Sequence, residues 1–172
     1  MMCLRPLCLI LLASCTVLAG CSRSDALQQI LADSELVVVS RNSPTTYYLD
    51  KSGAAGFEHD LAQLFADDLG VELQMDTAYS LGGIFRRLNR KEAHIAAAGL
   101  SLTNARSAQF AHSMPYANLI PRVIYRTGKR KPSGLDDLQD LQLVVLAGSS
   151  HEQTLQDLQA AAWPELTWES VR

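Results

Sequence analysis

The chain has 172 residues, with 15 basic and 18 acidic side chains, so its formal net charge is −3. This acidic balance argues against a nucleic-acid partner, which requires a basic surface. The length suits one globular domain with its own core, and the only basic cluster, Lys129, Arg130 and Lys131, is interpreted as a solvated loop.

Residues 1–20 are typical of a bacterial secretion signal, with Arg5 in a positive first part and an apolar stretch at 7–18. That stretch is shorter than the ~20 apolar residues that a transmembrane helix needs. Small residues then precede Cys21, as in the lipobox of bacterial lipoproteins, so we predict that Cys21 is lipidated. There are two alternatives to lipidation at Cys21: an ordinary signal peptide that happens to contain Cys, and a second possible lipobox that ends at Cys15.

The other cysteines, Cys3, Cys8 and Cys15, lie inside the predicted signal and leave with it. A lone lipidated Cys21 forms no internal disulfide, so the domain depends on its core. We expect residues 21–34 to form a lipid-anchored tether. Ser22 follows Cys21, where an Asp would retain a lipoprotein in the inner membrane. We therefore expect the protein to be anchored at the periplasmic face of the outer membrane.

Hydrophobic periodicity predicts the elements that follow. Residues 57–69 are predicted to form an amphipathic helix that buries Phe57, Leu61, Leu64, Phe65 and Leu69 and ends at Gly70. The other predicted elements are a strand at 36–40, a loop at 41–56, a strand at 71–75, a helix at 83–89, a strand at 94–98 and a brief helix near 103–108.

The rest of the chain continues the alternation of strands and helices. The predicted elements are a strand at 120–126 with Pro121 near its start, a helical turn at 135–138, a strand at 143–146, a helix at 151–161 and a strand near 167–169. This order indicates an α/β fold with a largely parallel sheet. Ligands of such sheets lie beyond the carboxyl ends of the strands, which here are residues 40–48, 99–106 and 147–150.

Three segments, at 42–48, 56–62 and 98–106, make the chain resemble the periplasmic solute-binding proteins of family 3, the amino-acid-binding type. Within that family, the stretches at 42–71, 97–106 and 125–139 are similar to the amino-terminal domains of membrane-bound lytic murein transglycosylases. The resemblance covers roughly residues 36–168. It implies a periplasmic-binding-protein-like α/β fold of two lobes.

The resemblance assigns residues 35–125 to a largely complete first lobe and residues 126–172 to a partial, truncated second lobe without the return crossing. The transglycosylases carry a further lysozyme-like domain with a catalytic Glu, which would begin after Arg172. We interpret Glu169 and Ser170 as part of a strand, not as a catalytic pair. We therefore expect no catalytic residue in the sequence as given, which by itself binds and does not cut.

Arg106 is the first candidate for ligand binding. In the family, an Arg three residues after a Ser or Thr clamps the ligand α-carboxylate, and Thr103 and Arg106 have that spacing. Gly99 and Ser101 are expected to offer groups beside it. The family often has Asp or Ser near here for the ligand ammonium, and Ser101 is the weaker of these partners. The competing interpretation of Arg106 is a surface residue at a short helix.

The family also places an aromatic residue of the first-strand loop against the ligand, which implies a role for Tyr47 or Tyr48; ordinary packing is the alternative. In the second lobe, Ser149 and Ser150 precede a helix whose free N–H groups favour an anion. A plain helix cap would explain these two serines without a ligand.

The ligand class implied by the family is an amino acid or a muropeptide, bound by a periplasmic, lipid-anchored sensor domain. Peptidoglycan is the expected partner of the full-length protein. We expect no cofactor, and no metal, because His59, His94, His112 and His151 are scattered. Alternatives are a receptor of an amino-acid uptake system, a non-binding remnant, and an amino-terminal piece of an enzyme that cleaves murein without hydrolysis.

Overall fold

The computed structural model describes residues 25–129 and 131–171. The predicted signal at 1–20 and the lipidated Cys21 lie outside these ranges. Within them, no helix combines the length and the apolar character needed to cross a membrane.

The first lobe is organised around strand β1, Glu35–Ser40, which lies in the middle of a three-stranded parallel sheet. Strand β4, Glu72–Thr77, pairs with one edge of β1, and the short strand β5, Ile95–Ala96, pairs with the other. A β-branched run suits this position, because both faces of a central parallel strand are covered. Accordingly, Leu36 and Val38 are buried in one core cluster and Val39 in the other.

Helix α2, Phe57–Leu69, has the bounds that the periodicity predicts, and Gly70 ends it with a φ of 70°. The predicted buried face is wrong except at Leu69. The helix packs on the sheet through Ala62, Ala66 and Leu69, at helical spacing, because small alanine side chains let its backbone lie close to the strands. The bulky residues of the predicted stripe are mainly exposed: Phe57, Leu61, Leu64 and Phe65.

Helix α3, Leu81–Asn89, covers the opposite face of the sheet and buries Leu81 and Ile84 beside Val39. The side chain of Ser80 caps it by accepting a hydrogen bond from the Gly83 N–H at 3.1 Å. On the same helix, Phe85 stacks on Phe110 with 5.4 Å between the ring centroids. This stacking brings the segment after residue 103 against α3.

Three elements of the first lobe, one helix and two strands, lie where we predicted none. Helix α1, Ala26–Asp33, occupies most of the predicted tether and places Ile30 in the core, so the packed lobe begins near residue 26. Strands β2, Tyr48–Asp50, and β3, Gly53–Ala55, form a hairpin inside the predicted loop. The Asp50 carboxylate accepts hydrogen bonds from Ser52 and Gly53 in its turn, which lowers the pKa of Asp50.

The second lobe consists of a short 3-10 helix at Asp136–Asp140, strand β6, Leu143–Leu146, helix α5, Ser150–Ala161, and strand β7, Trp168–Val171. The two strands are parallel neighbours and α5 connects them. The buried residues of this lobe are few: Leu138, Val145, Ser149 and Leu166.

The strand predicted at 120–126 is not formed, and residues 111–126 contain neither helix nor strand. A strand needs a neighbouring strand to satisfy its backbone groups, and no described strand lies beside this segment. Pro121 also lacks the N–H that a ladder requires. The short helix near 103–108 is present as α4, Asn104–Ser107.

The packing of the first lobe predicts two contrasting mutations. Ile84 is fully buried, so Ile84→Ala is expected to lower the free energy of unfolding by about 3 kcal/mol. Leu64 is 67% exposed on α2, so Leu64→Ala is expected to change it by less than about 0.5 kcal/mol. Urea unfolding of both variants measures the difference. Equal losses would mean that α2 buries the predicted stripe.

Candidate ligand-binding site

The carboxyl ends of β1 and β5 lie side by side, because the two strands are parallel neighbours. The chain leaves β1 through Arg41 and turns back at Thr46, whose buried hydroxyl donates a hydrogen bond of 2.6 Å to the Arg41 carbonyl oxygen. The chain leaves β5 through Gly99, whose φ of +64° favours glycine. Both loops therefore meet at the edge of the sheet where a ligand is expected.

A buried carboxylate fixes the second of these loops. Glu58, in the first turn of α2, is only 5% exposed, and its Oε2 accepts a hydrogen bond of 2.7 Å from the Gly99 N–H. Its Oε1 accepts a short hydrogen bond from the Tyr116 hydroxyl. Burial, together with this bond to Glu58, raises the pKa of Tyr116 to about 12. Glu58 thus connects α2, the loop after β5 and the segment that leads to the second lobe.

Gly56 makes this arrangement possible. It has a φ of +134°, and a β-carbon at this position would overlap the Thr46 carbonyl oxygen. The same carbonyl oxygen accepts a hydrogen bond of 3.0 Å from the His59 N–H. The loop after β1 therefore packs directly on the start of α2, which is close enough for Glu58 to reach Gly99.

Arg106 lies on α4, where the Thr103 hydroxyl caps the helix by accepting a hydrogen bond of 3.3 Å from the Arg106 N–H. Its guanidinium donates through Nη1 to the Ser101 carbonyl oxygen at 2.8 Å and through Nη2 to the Gly148 carbonyl oxygen at 3.1 Å. It stands over the Phe85 ring, with 5.1 Å from Cζ to the ring centroid. Partial burial lowers the pKa of Arg106, but a guanidinium stays charged at neutral pH.

The second lobe contributes the turn between β6 and α5. The Ser149 hydroxyl caps α5 by accepting a hydrogen bond of 3.2 Å from the Glu152 N–H. The Ser150 hydroxyl donates to the Ser101 hydroxyl oxygen at 3.1 Å, across the two lobes. The first N–H groups of a helix favour an anion, so this turn adds positive potential beside Arg106.

Glu152 is a further residue of the site that the sequence analysis missed. Its Oε2 accepts a hydrogen bond of 2.6 Å from the Gly148 N–H, and its Oε1 accepts from the Ser170 hydroxyl and, at 3.4 Å, from Trp168 Nε1. These bonds, led by that from Ser170, lower the pKa of Glu152. The spacing of Ser149 and Glu152 is that of a capping box, which was the available signal.

A cleft of about 260 Å³ lies among α3, α4 and the start of α5. The predicted residues Thr103, Arg106, Ser149 and Ser150 line it, together with Phe85, Ala105, Gln109, Phe110, Gly148, Glu152, Gln153 and Gln156. A larger depression of about 730 Å³ lies at the opposite edge of the sheet and is lined mainly by acidic residues: Asp33, Glu35, Asp67 and Glu72. We take the smaller cleft as the candidate ligand site, since Gly148 and Ser149, which follow β6, line it together with the cation Arg106.

The other predicted residues lie around this cleft and not in its lining. Ser101 contacts it through its bonds to Arg106 and Ser150, whereas Gly99 faces Arg41 and Thr46. Tyr47 stacks near His59, with 5.9 Å between ring centroids, and Tyr48 begins the β2–β3 hairpin. Among residues 25–129 and 131–171, no group of three or more potential metal ligands occurs.

Comparison with known proteins agrees with this geometry. Residues 36–164 match the family described as bacterial extracellular solute-binding proteins, family 3. A membrane-bound lytic murein transglycosylase F of Ectopseudomonas mendocina is 43% identical to the chain over 165 residues. The alignment covers 94% of the chain and 34% of that relative. The corresponding protein of Pseudomonas fluorescens is 41% identical over 162 residues, and that alignment covers 91% of the chain and 33% of the relative. The chain therefore spans about a third of the length of these relatives.

Solved structures share the fold. A substrate-binding protein of an amino acid ABC transporter from Streptococcus pneumoniae, bound to L-arginine, superposes with a TM-score of 0.66 and 25% identity, over 85% of this chain and 62% of that one. An ancestral amino-acid-binding protein, a precursor of cyclohexadienyl dehydratase, superposes with a TM-score of 0.67 and 22% identity, over 86% of this chain and 65% of that one. The fold is thus the mixed α/β, periplasmic-binding-protein-like one that the sequence predicts.

The role of Glu152 predicts a pH dependence. A carboxylate whose pKa is lowered on folding stabilises the fold above its unfolded pKa, and this stabilisation is lost as the pH falls through the folded pKa. The ordinary pKa of Glu152 is 4.5, so we expect Glu152→Gln to be less stable than wild type at neutral pH and the gap to close below 4.5.

Urea unfolding of both proteins between about pH 7 and about pH 3 measures this gap. Glu165→Gln is the matched control, because Glu165 is an exposed acid after the same helix and is expected to leave stability nearly unchanged. A gap between wild type and Glu152→Gln that stays constant with pH would contradict a role for the ionised carboxylate.

Proposed function

Because the chain belongs to the bacterial extracellular solute-binding proteins of family 3, we propose that it binds an amino acid or a small cell-wall peptide between its two lobes. The observation that carries this proposal is the position of Arg106. Its two terminal nitrogens donate to backbone carbonyl oxygens of different lobes, Ser101 and Gly148. A carboxylate is a stronger acceptor than a neutral carbonyl and would replace them in a bidentate pair.

The surroundings of Arg106 favour the same ligand. The ring of Phe85 covers one side of the guanidinium, and the start of α5 with Ser149 and Ser150 lies opposite. A carboxylate held there would contact a cation of the first lobe and helix N–H groups of the second. Binding would thus draw the two lobes together, which is how hinged binding domains close on a ligand.

The relatives support a specific setting for this binding. They are membrane-bound murein transglycosylases, and about a third of their length corresponds to the chain. We propose that the domain is tethered in the periplasm by a lipid on Cys21, at the inner face of the outer membrane. There it would act as the amino-terminal regulatory part of a peptidoglycan lytic transglycosylase, with peptidoglycan as the partner of the whole protein.

One observation favours a second candidate function, that of an amino-acid receptor of an uptake system. The similar structure from Streptococcus pneumoniae is a substrate-binding protein of an amino acid transporter. The ligand distinguishes the two functions, since an uptake receptor is expected to bind free amino acids and a murein sensor to prefer peptides. A lipid on Cys21 is compatible with either, so the choice depends on the binding measurement.

The carboxylate clamp predicts the effect of Arg106→Gln. Hydrogen bonds to a charged group contribute roughly 1.5–3 kcal/mol, so affinity for an amino acid or peptide is expected to fall roughly tenfold to a hundredfold. Isothermal titration of the full chain with the common L-amino acids and with dipeptides measures this loss. Arg90→Gln is the control, because Arg90 is an exposed arginine at the end of α3 whose contact with Glu92 spans 3.7 Å.

The ligand provides a second control. A ligand whose α-carboxylate is replaced by a carboxamide is expected to bind wild type and Arg106→Gln equally weakly. Tight binding of this carboxamide by wild type would exclude the clamp. Absence of binding by every amino acid and dipeptide, from a sample that unfolds cooperatively, would contradict the proposed function as a whole.

A further inference from the structure

Arg41 is a partly buried cation at the carboxyl end of β1, and its side chain has no hydrogen-bond acceptor among residues 25–129 and 131–171. It follows directly after β1, and its Nε is buried without a hydrogen-bond partner in the described part of the chain. None of the ion pairs found there involves it; they join His59 with Asp60, Arg87 with Asp76, and Arg90 with Glu92. A buried donor without an acceptor costs about 1–3 kcal/mol, which a structure rarely retains without a use.

The surroundings of Arg41 hold its side chain against the loop after β5. Its Nη2 lies 3.5 Å from the position that a β-carbon would take at Gly99, and the Thr46 methyl group lies 3.6 Å from the same position. The Thr46 hydroxyl also fixes the Arg41 backbone through its bond of 2.6 Å to the carbonyl oxygen. The guanidinium therefore packs on Gly99 and is not a freely moving surface group.

Two guanidinium groups consequently flank one short loop. Arg41 packs at Gly99, and Arg106 donates to the carbonyl oxygen of Ser101, two residues further on. Consecutive Cα atoms are about 3.8 Å apart, so the Cα atoms of Gly99 and Ser101 lie within about 8 Å of each other. Glu58, the acid bonded to this loop, directs its oxygens to Gly99 and Tyr116, and none of the ion pairs in the described residues joins it to Arg41.

We infer that Arg41 binds a second carboxylate of the ligand, so that the preferred ligands are acidic amino acids or peptides with an acidic side chain. This inference rests on the proposed function, in which Arg106 holds the α-carboxylate. Two anionic groups on one ligand would match the two cations that flank this loop. The planar fork of Arg41 would supply a geometry for carboxylate that a lysine does not reproduce.

The experiment compares ligands that differ only in the side-chain carboxylate. Isothermal titration of the full chain is performed with L-glutamate and L-glutamine, with L-aspartate and L-asparagine, and with the dipeptides Ala-Glu and Ala-Gln. Wild type is expected to bind the acid of at least one pair about tenfold more tightly than its amide, as for a charge-assisted hydrogen bond. In Arg41→Gln, the acid is expected to bind no better than the amide, whereas the affinity for the amide stays unchanged.

Controls separate a binding role from a structural one. Arg41→Lys is expected to keep part of the preference, because it keeps the charge and loses the fork. Arg90→Gln, which removes an exposed arginine that pairs with Glu92, is expected to keep all of the preference. Thermal unfolding of each variant verifies that it is folded.

Two results would overturn the inference and leave the proposed function intact. The first is that wild type binds the acid and the amide of each pair with equal affinity. The second is that Arg41→Gln loses affinity equally for the acid and for the amide. The second result would mean that Arg41 only supports the loop. Absence of binding by both members of every pair would also overturn the inference, whereas the proposed function would fall only if every other amino acid and dipeptide failed to bind as well.

Discussion

The site depends on one buried carboxylate. Glu58 accepts the Gly99 N–H with one oxygen and the Tyr116 hydroxyl with the other, at the first turn of a helix that packs on the central strand. A buried charge is tolerated only where hydrogen bonds satisfy it, so the three segments must keep this arrangement. The loop after β5 is thereby held in place, and Ser101 can meet the guanidinium of Arg106.

In the second lobe, Glu152 has a role similar to that of Glu58 in the first, although Glu152 is more exposed. Glu152 accepts from the Gly148 N–H and from Ser170 on the neighbouring strand, so the turn before α5 is tied to β7. The Gly148 carbonyl oxygen then accepts from Arg106. In both lobes an acid on the first turn of a helix orients a glycine-containing turn, and the hydrogen bond between Ser150 and Ser101 joins the segments that follow the two glycines.

Much of the fold could be predicted from the sequence, because the features that define its elements are local. The bounds of helix α2 follow from the helical spacing of its apolar residues and from Gly70, a glycine that ends the helix in the left-handed conformation. The exposed face of α2 could not be predicted, since the neighbouring strands determine which side packs. The unformed strand at 120–126 fails for a related reason: a strand needs a partner, which periodicity does not encode.

The candidate site divides in the same way. The predicted residues Thr103, Arg106, Ser149 and Ser150 line one cleft, whereas the long-range contacts of the acids Glu58 and Glu152 were not predicted. Glu58 acts on a residue 41 positions away, and the partner of Glu152 on β7 is 18 positions away. Such pairs are visible only once the chain is folded.

The bonds that Arg106 and Ser150 make across the cleft have a kinetic consequence. Gly148 and Ser101 supply acceptors from within the protein, so an entering ligand must displace these bonds before it can form its own. The measured affinity is then the intrinsic affinity reduced by the fraction of molecules in which the lobes are apart. At high ligand concentration, the observed association rate should level off at the rate of opening, whichever ligand is used.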